Sequence, residues 1–278
     1  MKQNYHQWFI SNFDQGTQLQ YHKVYEIRPY LFFLCKTLIM FQRLEQHLES
    51  NNILTTDQFG FRKVVHIENA LFSLTNNIIT SLNRQQAGDI FCDLTKALDC
   101  VNHTILLNKL HYYGISGKCH RWFKSYTENR KQRGCISPHI LEQEKCSSWE
   151  TVDSGVPQGS ILGSLLFIIH LNDLWYGLHQ GAKPVIYADD TSVLLMTKND
   201  DELKTKINCM LDYMRGWFSA NGLALNMEKT NIMKFTSSYH QNEAFLIIYQ
   251  KKIMTGTNYT KFLGLELVKN ISCSKNYN

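Results

Sequence analysis

The sequence predicts an α+β fold whose sheet gathers carboxylates, and three observations carry that expectation. Short apolar strands alternate with amphipathic helical stretches along most of the 278 residues. Two strand segments place carboxylates at their ends: Asp93 closes the run from Asp89 to Leu94, and Asp189-Asp190 form the corner between Val185-Ile186-Tyr187 and Val193-Leu194-Leu195. A turn-forming loop, Asp153 to Ser160, runs directly into an apolar helix with Leu162, Leu165, Leu166 and Ile169 on one face.

Apolar residues make up 44% of the chain and charged residues 19%, an ordinary composition for a folded chain with a sizeable core. The net charge of +5 and pI of 8.7 are compatible with a polyanionic partner without establishing one. The eight cysteines form no C-x-x-C pair, so no zinc site is expected. With no signal peptide, they read as reduced thiols of an intracellular, non-secreted protein. The longest apolar run, Tyr30 to Phe41, is interrupted by Lys36 and too short to span a bilayer, so no membrane partner is expected.

In chain order, residues 1–25 show no periodicity and receive no assignment. Leu38, Phe41, Leu44 and Leu48 fall at helical spacing and predict a helix to about Glu49. Asp57 to Lys63 then places adjacent cations between aromatics, which locally reads as a solvated basic loop. Leu71, Leu74, Ile78 and Leu82 mark a second helix. Gly88 breaks the chain before the strand that ends at Asp93, and that carboxylate is either a partner for Asp189-Asp190 or a cap on the turn after it. Asn102 or His103 starts a helix through Leu106, Leu107 and Leu110 that Gly114 stops.

From Lys118 to Arg133 six cations (Lys118, Arg121, Lys124, Arg130, Lys131, Arg133) face one anion, Glu128, an excess equal to the +5 of the whole chain. Trp122, Phe123 and Tyr126 lie among them. Such a mixture suits a phosphate backbone and stacked bases. It also suits an amphipathic helix that buries its aromatics. Residues 134–152 read as strand-rich or irregular. The Asp-Asp corner after them concentrates charge where Asn-Gly or Asp-Gly would make a simpler turn. A bound divalent cation would stabilise it; the alternative is a solvated acidic turn. Asn199-x-x-Glu202 resembles a capping box and opens a helix with Leu203, Ile207, Met210, Met214 and Trp217 on one face. Ile232 to Phe235 reads as a strand, Lys261 to Leu267 as a strand with a Gly corner, and residues 269–278 as an unstructured tail.

Six segments taken together resemble the ordered blocks of a reverse transcriptase of the non-LTR, LINE-like retrotransposon type, of the jockey-like arthropod kind. They are QFGFR (58–62), IFCDLTKALDCVNH (90–103), GVPQGSILGSLLFIIHLNDL (155–174), YADD (187–190), NGLALNMEKT (221–230) and KFLGLEL (261–267). The resemblance covers residues 26–268 and implies a right-hand polymerase fold with palm and fingers. On that layout the fingers are 26–86 and 117–152 and the palm is 87–116 and 153–268, with the thumb missing or nearly so and no endonuclease domain in this chain. The implied activity is RNA-directed DNA polymerisation on an RNA template and DNA primer with dNTPs. The implied cofactor is a pair of Mg²⁺ ions, with Mn²⁺ as a substitute, in the nucleus and cytoplasm. The alternative is an inactive truncated relic that at most binds nucleic acid.

The resemblance also implies roles. Asp93 and Asp189 match the principal metal ligands, Asp190 the lesser one, and Leu94 the backbone-carbonyl ligand. Lys229 matches the lysine proposed to protonate pyrophosphate. Gln158 and Gly159 match residues beside the incoming nucleotide, Arg62 a cation on its triphosphate, with Lys63 a further candidate, and Tyr187 and Ala188 residues beside the primer end. The cations from Lys118 to Arg133 lie where template would pass. Leu98 departs from the family's aromatic sugar gate, which implies weaker exclusion of ribonucleotides. Ser164 replaces the usual Pro of ILGPLLF, His66-Ile67 the usual Ser-Thr, and Tyr30 to Leu34 match their block only loosely.

Overall fold

The computed structural model describes residues 24–63, 65–82, 86–128, 130–136, 145–177, 182–235 and 245–269. The first 23 residues, the tail from 270 on and the side chains of Tyr30 to Leu34 lie outside the described residues. In chain order the elements begin with α1 (Val24–Ser50), α2 (Ile67–Leu82), β1 (Gln86–Cys92), α3 (His103–Tyr112), α4 (Gly117–Thr127), β2 (Arg130–Gln132), β3 (Cys135–Ile136), β4 (Lys145–Cys146) and β5 (Glu150–Val152). They continue with α5 (Ile161–Leu171), β6 (Ala182–Tyr187), β7 (Asp190–Thr197), α6 (Asp200–Ala220), β8 (Asn231–Phe235), β9 (Leu246–Tyr249), β10 (Lys252–Thr255), β11 (Tyr259–Phe262) and β12 (Leu265–Val268). Two compact units share them: residues up to Ile53 with Leu98–His170, and Leu54–Ala97 with the residues from Leu171 on.

The second unit is built on an antiparallel sheet of order β6-β7-β1-β8. On one face α2 inserts Ala70, Leu74 and Ile78 against Ala87, Phe91, Val185, Leu194, Met233 and Phe235, with Phe262 and Leu267 in the same core. The stripe is centred one residue earlier than the leucine spacing predicts. Ala70 is fully buried, while Leu71 and Leu82 flank the contact partly exposed. On the other face α6 buries Leu203, Ile207, Met210, Leu211, Met214 and Phe218. The expected Trp217 is half-buried, because the helix's rotation turns Phe218 inward in its place. Asn199 caps this helix as its spacing predicts, its Oδ1 accepting from Glu202 N at 2.9 Å.

Gly88 does not break the chain before β1 but lies within it. A Cβ there would approach Leu203 Cδ1 to 2.9 Å, so Gly lets α6 close onto the strand. The sequence-predicted strand at 261–267 is a hairpin, β11–β12, turning through Leu263 (φ 49) and Gly264 (φ 86). Hairpin β9–β10 is not foreseen from the sequence, because its turn residues Gln250 (φ 47) and Lys251 (φ 65) carry no glycine signal.

In the first unit, Asn102 caps α3 by accepting from Ile105 N at 3.0 Å. Phe167 and Ile168 are buried along with the expected Leu162, Leu165, Leu166 and Ile169, so α5 is apolar around most of its circumference rather than on one face. Cys146 is disulfide-bonded, and the β3–β4 register sets Cys135 opposite it. This corrects the expectation of reduced thiols throughout; Cys35, Cys92, Cys119 and Cys209 are free thiols. Among the described residues no helix is long and apolar enough to cross a membrane.

Candidate active site

The register of β1 with β7 brings the acidic residues together. Cys92 pairs with Thr191, so the chain leaves β1 at Asp93 beside the point where β7 begins at Asp190. Tyr187 pairs with Asp190 across a two-residue turn, Ala188-Asp189, and Ala188 takes a left-handed φ of 60. Asp189 is half-buried in the turn, and Asp190 opens β7 at its base. Burial first, and then the charges of Asp189 and Asp93, push the Asp190 carboxyl above the ordinary carboxylate range.

A second strap fixes Asp93. Leu94 bridges Leu225: Thr95 N donates to Ala224 O at 3.1 Å and Asn226 N to Asp93 O at 2.9 Å. These two bonds leave the carbonyl of Leu94 out of the ladder. Asn226 then organises the following turn, its Oδ1 accepting from Glu228 N and Lys229 N and its carbonyl from Thr230 N. The turn carries Lys229 Nζ to 3.6 Å from Asp93 Oδ2, an ion pair exposed enough to be worth little to stability. Asn226 is not singled out by the sequence beyond its place in the 221–230 block.

The donor set suits a hard divalent cation, since three carboxylates whose charges penalise one another are oxygen ligands that a cation would relieve. Among the described residues, no three His, Cys, Asp or Glu side chains are already drawn together as a metal-binding group.

The 57–60 strap belongs to the same unit. Phe59 N donates to Ile186 O at 2.8 Å and Ile186 N to Asp57 O at 3.0 Å, lining the free edge of β6. The buried Gln58 side chain accepts from Gly60 N at 2.8 Å and Ala188 N at 3.1 Å. The segment is thus a structural strap rather than a solvated loop. Its cations continue outward: Arg62 is half-buried and donates to Thr55 O at 3.0 Å, while Lys63 is exposed. Tyr187 is half-buried at the rim of the α2-side core, and Ala188 is buried.

In the first unit, the glycine-rich loop is fastened to the 3-10 turn Ala97–Cys100. Val156 N donates to Leu98 O and Gly155 N to Val101 O, each at 2.8 Å. Gly155 (φ 87) comes so close that a Cβ would meet Asp99 O at 2.7 Å. Gln158 Nε2 donates to Asp99 Oδ1 at 3.0 Å, a contact the sequence does not reveal. Gly159 is exposed with φ 75, and Leu98 is half-buried. Ser160 Oγ accepts from Gly163 N at 3.0 Å at the start of α5, and Ser164 N reaches Ser160 O at 3.5 Å.

The basic segment buries its aromatics as an amphipathic helix does and leaves most of its cations on the surface. Phe123 and Tyr126 are buried, with Trp122 stacked on Tyr126 at 5.5 Å, while Lys118, Arg121 and Lys124 are exposed on α4. Lys131 and Arg133 are exposed too, and the Arg133 guanidinium lies 4.6 Å from the centre of the Trp149 ring. Arg130 departs from this group. It is half-buried beside Tyr126, and burial lowers its pKa from the usual arginine value.

Residues 24–267 match the family described as Reverse transcriptase (RNA-dependent DNA polymerase). Among curated proteins, the probable RNA-directed DNA polymerase from transposon BS of Drosophila melanogaster is 26% identical over 83% of this chain and 25% of its own length. The RNA-directed DNA polymerase from mobile element jockey of Drosophila funebris is 27% identical over 83% of this chain and 26% of its own. The chain therefore spans about a quarter of these relatives' length. Among solved structures, apo telomerase from Candida tropicalis truncated from its C-terminal domain aligns with TM-score 0.58 at 14% identity, covering 97% of this chain and 50% of that one. Telomerase from Candida tropicalis in complex with a fragment of telomeric RNA aligns with TM-score 0.55, also at 14% identity, over 90% of this chain and 39% of that one. The mixed sheet-and-helix architecture is that of a right-hand polymerase fold, and the chain belongs to the reverse transcriptase family.

Proposed function

We propose that this chain is the RNA-directed DNA polymerase part of a LINE-like element, adding dNTPs to a primer 3′-hydroxyl along an RNA template. The observation that carries the reading is the convergence of Asp93 and Asp190 at the end of one strand ladder, with Asp189 at the adjoining turn and Lys229 on Asp93. Following the family's layout, residues 87–116 and 153–268 serve as palm and 26–86 and 117–152 as fingers, acting in nucleus and cytoplasm.

Asp93, Asp189 and Asp190, with the Leu94 carbonyl, would hold the Mg²⁺ or Mn²⁺ pair. Such ions, when bound there, would supply positive charge that favours ionisation of the primer hydroxyl and offsets the charge of the leaving pyrophosphate. The chain's own residues do the rest. Lys229 holds a proton at Nζ that the departing pyrophosphate oxygen can take. Arg62, with Lys63 as a further cation, carries triphosphate charge; Tyr187 and Ala188 lie beside the primer end. Lys118, Arg121, Lys124, Lys131 and Arg133 offer charge to the template backbone, and Arg130 contributes from its half-buried position.

Gln158 and Gly159 line the nucleotide in this reading, and Asp99 sets the Gln158 amide. Asp99→Ala is expected to raise KM for dNTP about fivefold with kcat nearly unchanged, the size of one exposed hydrogen bond. Asp99→Asn, which keeps the acceptor, should stay near wild type; equal steady-state constants for all three proteins would refute the arrangement. Leu98 is smaller and less planar than the aromatic it replaces. Leu98→Phe should therefore improve discrimination of dNTP over rNTP by about tenfold in kcat/KM. Identical selectivity in both proteins would sink the gate assignment.

The reading itself is tested by primer extension on poly(rA)/oligo(dT) with Mg²⁺, beside Asp189→Asn. Extension that survives the substitution refutes the site. Absent extension with retained RNA binding favours the relic.

A further inference from the structure

We propose that Gln58 and Gly60 are positioning residues for the acidic turn, an inference that rests on the polymerase reading above. Covering the edge of β6 requires only the two backbone bonds between the strap and Ile186. The Gln58 side chain does something else. It is 3% exposed, and burying an amide costs free energy unless its polar atoms are satisfied. Its Oε1 gathers two backbone N–H groups at once, Gly60 N at 2.8 Å and Ala188 N at 3.1 Å. One belongs to the strap and the other to the left-handed residue immediately before Asp189.

Ala188 has a strained backbone for an L residue, and a conformation of that kind persists only where its surroundings over-determine it. The Gln58 oxygen supplies such a constraint from outside the hairpin, beside the Tyr187–Asp190 pairing across the turn itself. Gly60 makes the approach sterically feasible: a Cβ there would lie 2.3 Å from Ala188 N and 2.9 Å from Tyr187 C. Its φ is not in the left-handed region, so the requirement is for space and not for backbone freedom. The strap thereby fixes the direction in which Asp189 leaves the turn, without touching any reacting group.

The test compares wild type with Gln58→Met, which keeps the volume and removes the acceptor; Gly60→Ala serves as a second, harsher variant. Hydrogen exchange followed by NMR should show the Ala188 amide exchanging at least tenfold faster in Gln58→Met, with β1 amides unchanged. In primer extension, the Mg²⁺ concentration for half-maximal rate should rise about tenfold, the scale on which partners of metal ligands act. A merely structural role would lower the active fraction without moving that midpoint. Unchanged Ala188 exchange overturns the proposal, and so does faster exchange with an unmoved Mg²⁺ midpoint. If wild type does not extend at all, the polymerase reading fails, and the exchange measurement alone decides whether Gln58 holds the turn.

Discussion

Asp189→Asn is expected to reduce primer extension about a thousandfold or more while leaving the fold intact. Asn keeps an oxygen at the turn tip but removes one of three charges that would face the cations. A loss of about 4 kcal/mol of transition-state stabilisation corresponds to three decades in rate. The same substitution relieves repulsion, because the Asp189 charge helps push the Asp190 carboxyl upward. Thermal melting in the absence of divalent metal should therefore be unchanged or slightly higher. Asp190→Asn should cost less activity, in keeping with its lesser role. A variant at Asp189 that loses both activity and melting temperature would indicate a folding defect and not a lost ligand. One that keeps full activity would remove Asp189 from the chemistry.

The second large effect concerns stability. Asp89 lies at the centre of β1, fully buried on the α2 side, with Ser192 Oγ donating to its two oxygens at 2.8 and 3.0 Å. Burial pushes its carboxyl up to about 7, against the smaller opposing effect of hydrogen bonds from Ser192, Val193 N and Ile90 N. The folded chain thus keeps a proton that the unfolded chain releases near pH 4. Stability falls as pH rises from about 4 to about 7 and is flat above, a cost of about 4 kcal/mol at pH 8. Asp89→Asn has no proton to lose and keeps an acceptor for Ser192. It should match wild type within about 1 kcal/mol at pH 5 and exceed it by about 3 kcal/mol at pH 8. Urea titrations at the two pH values read this directly; parallel pH dependence in both proteins would refute it.

What could be read from the sequence was whatever depends on residue type and local spacing. Asp93 and the Asp189-Asp190 pair are visible as carboxylates ending apolar strands, and Asn199 by its spacing to Glu202, whereas the spacing leaves Asn102 and His103 undivided as the start of α3. Asp89 was hidden inside an apolar strand that gave no hint of Ser192 across the sheet. Gln58 was illegible because its partner Ala188 lies 130 residues away and matters through a backbone angle. Trp217 and Phe218 are neighbours that periodicity separates poorly, and only the packing of α6 chose between them. The cations from Lys118 to Arg133 were visible as a cluster, but not that Arg130 would turn inward to Tyr126.

The β1–β7 ladder also decides where the chain can change length. Asp93 and Asp190 are far apart in sequence, and a change of length in the connection between the Leu94 bridge and β6 leaves the β1–β7 register untouched. Within either strand the opposite holds. One residue gained or lost in β1 or β7 shifts the pairing of Cys92 with Thr191 and turns every side chain beyond it to the other surface of the sheet. For a sequence that drifts by small insertions and deletions, these two short strands are where an in-frame change is least survivable.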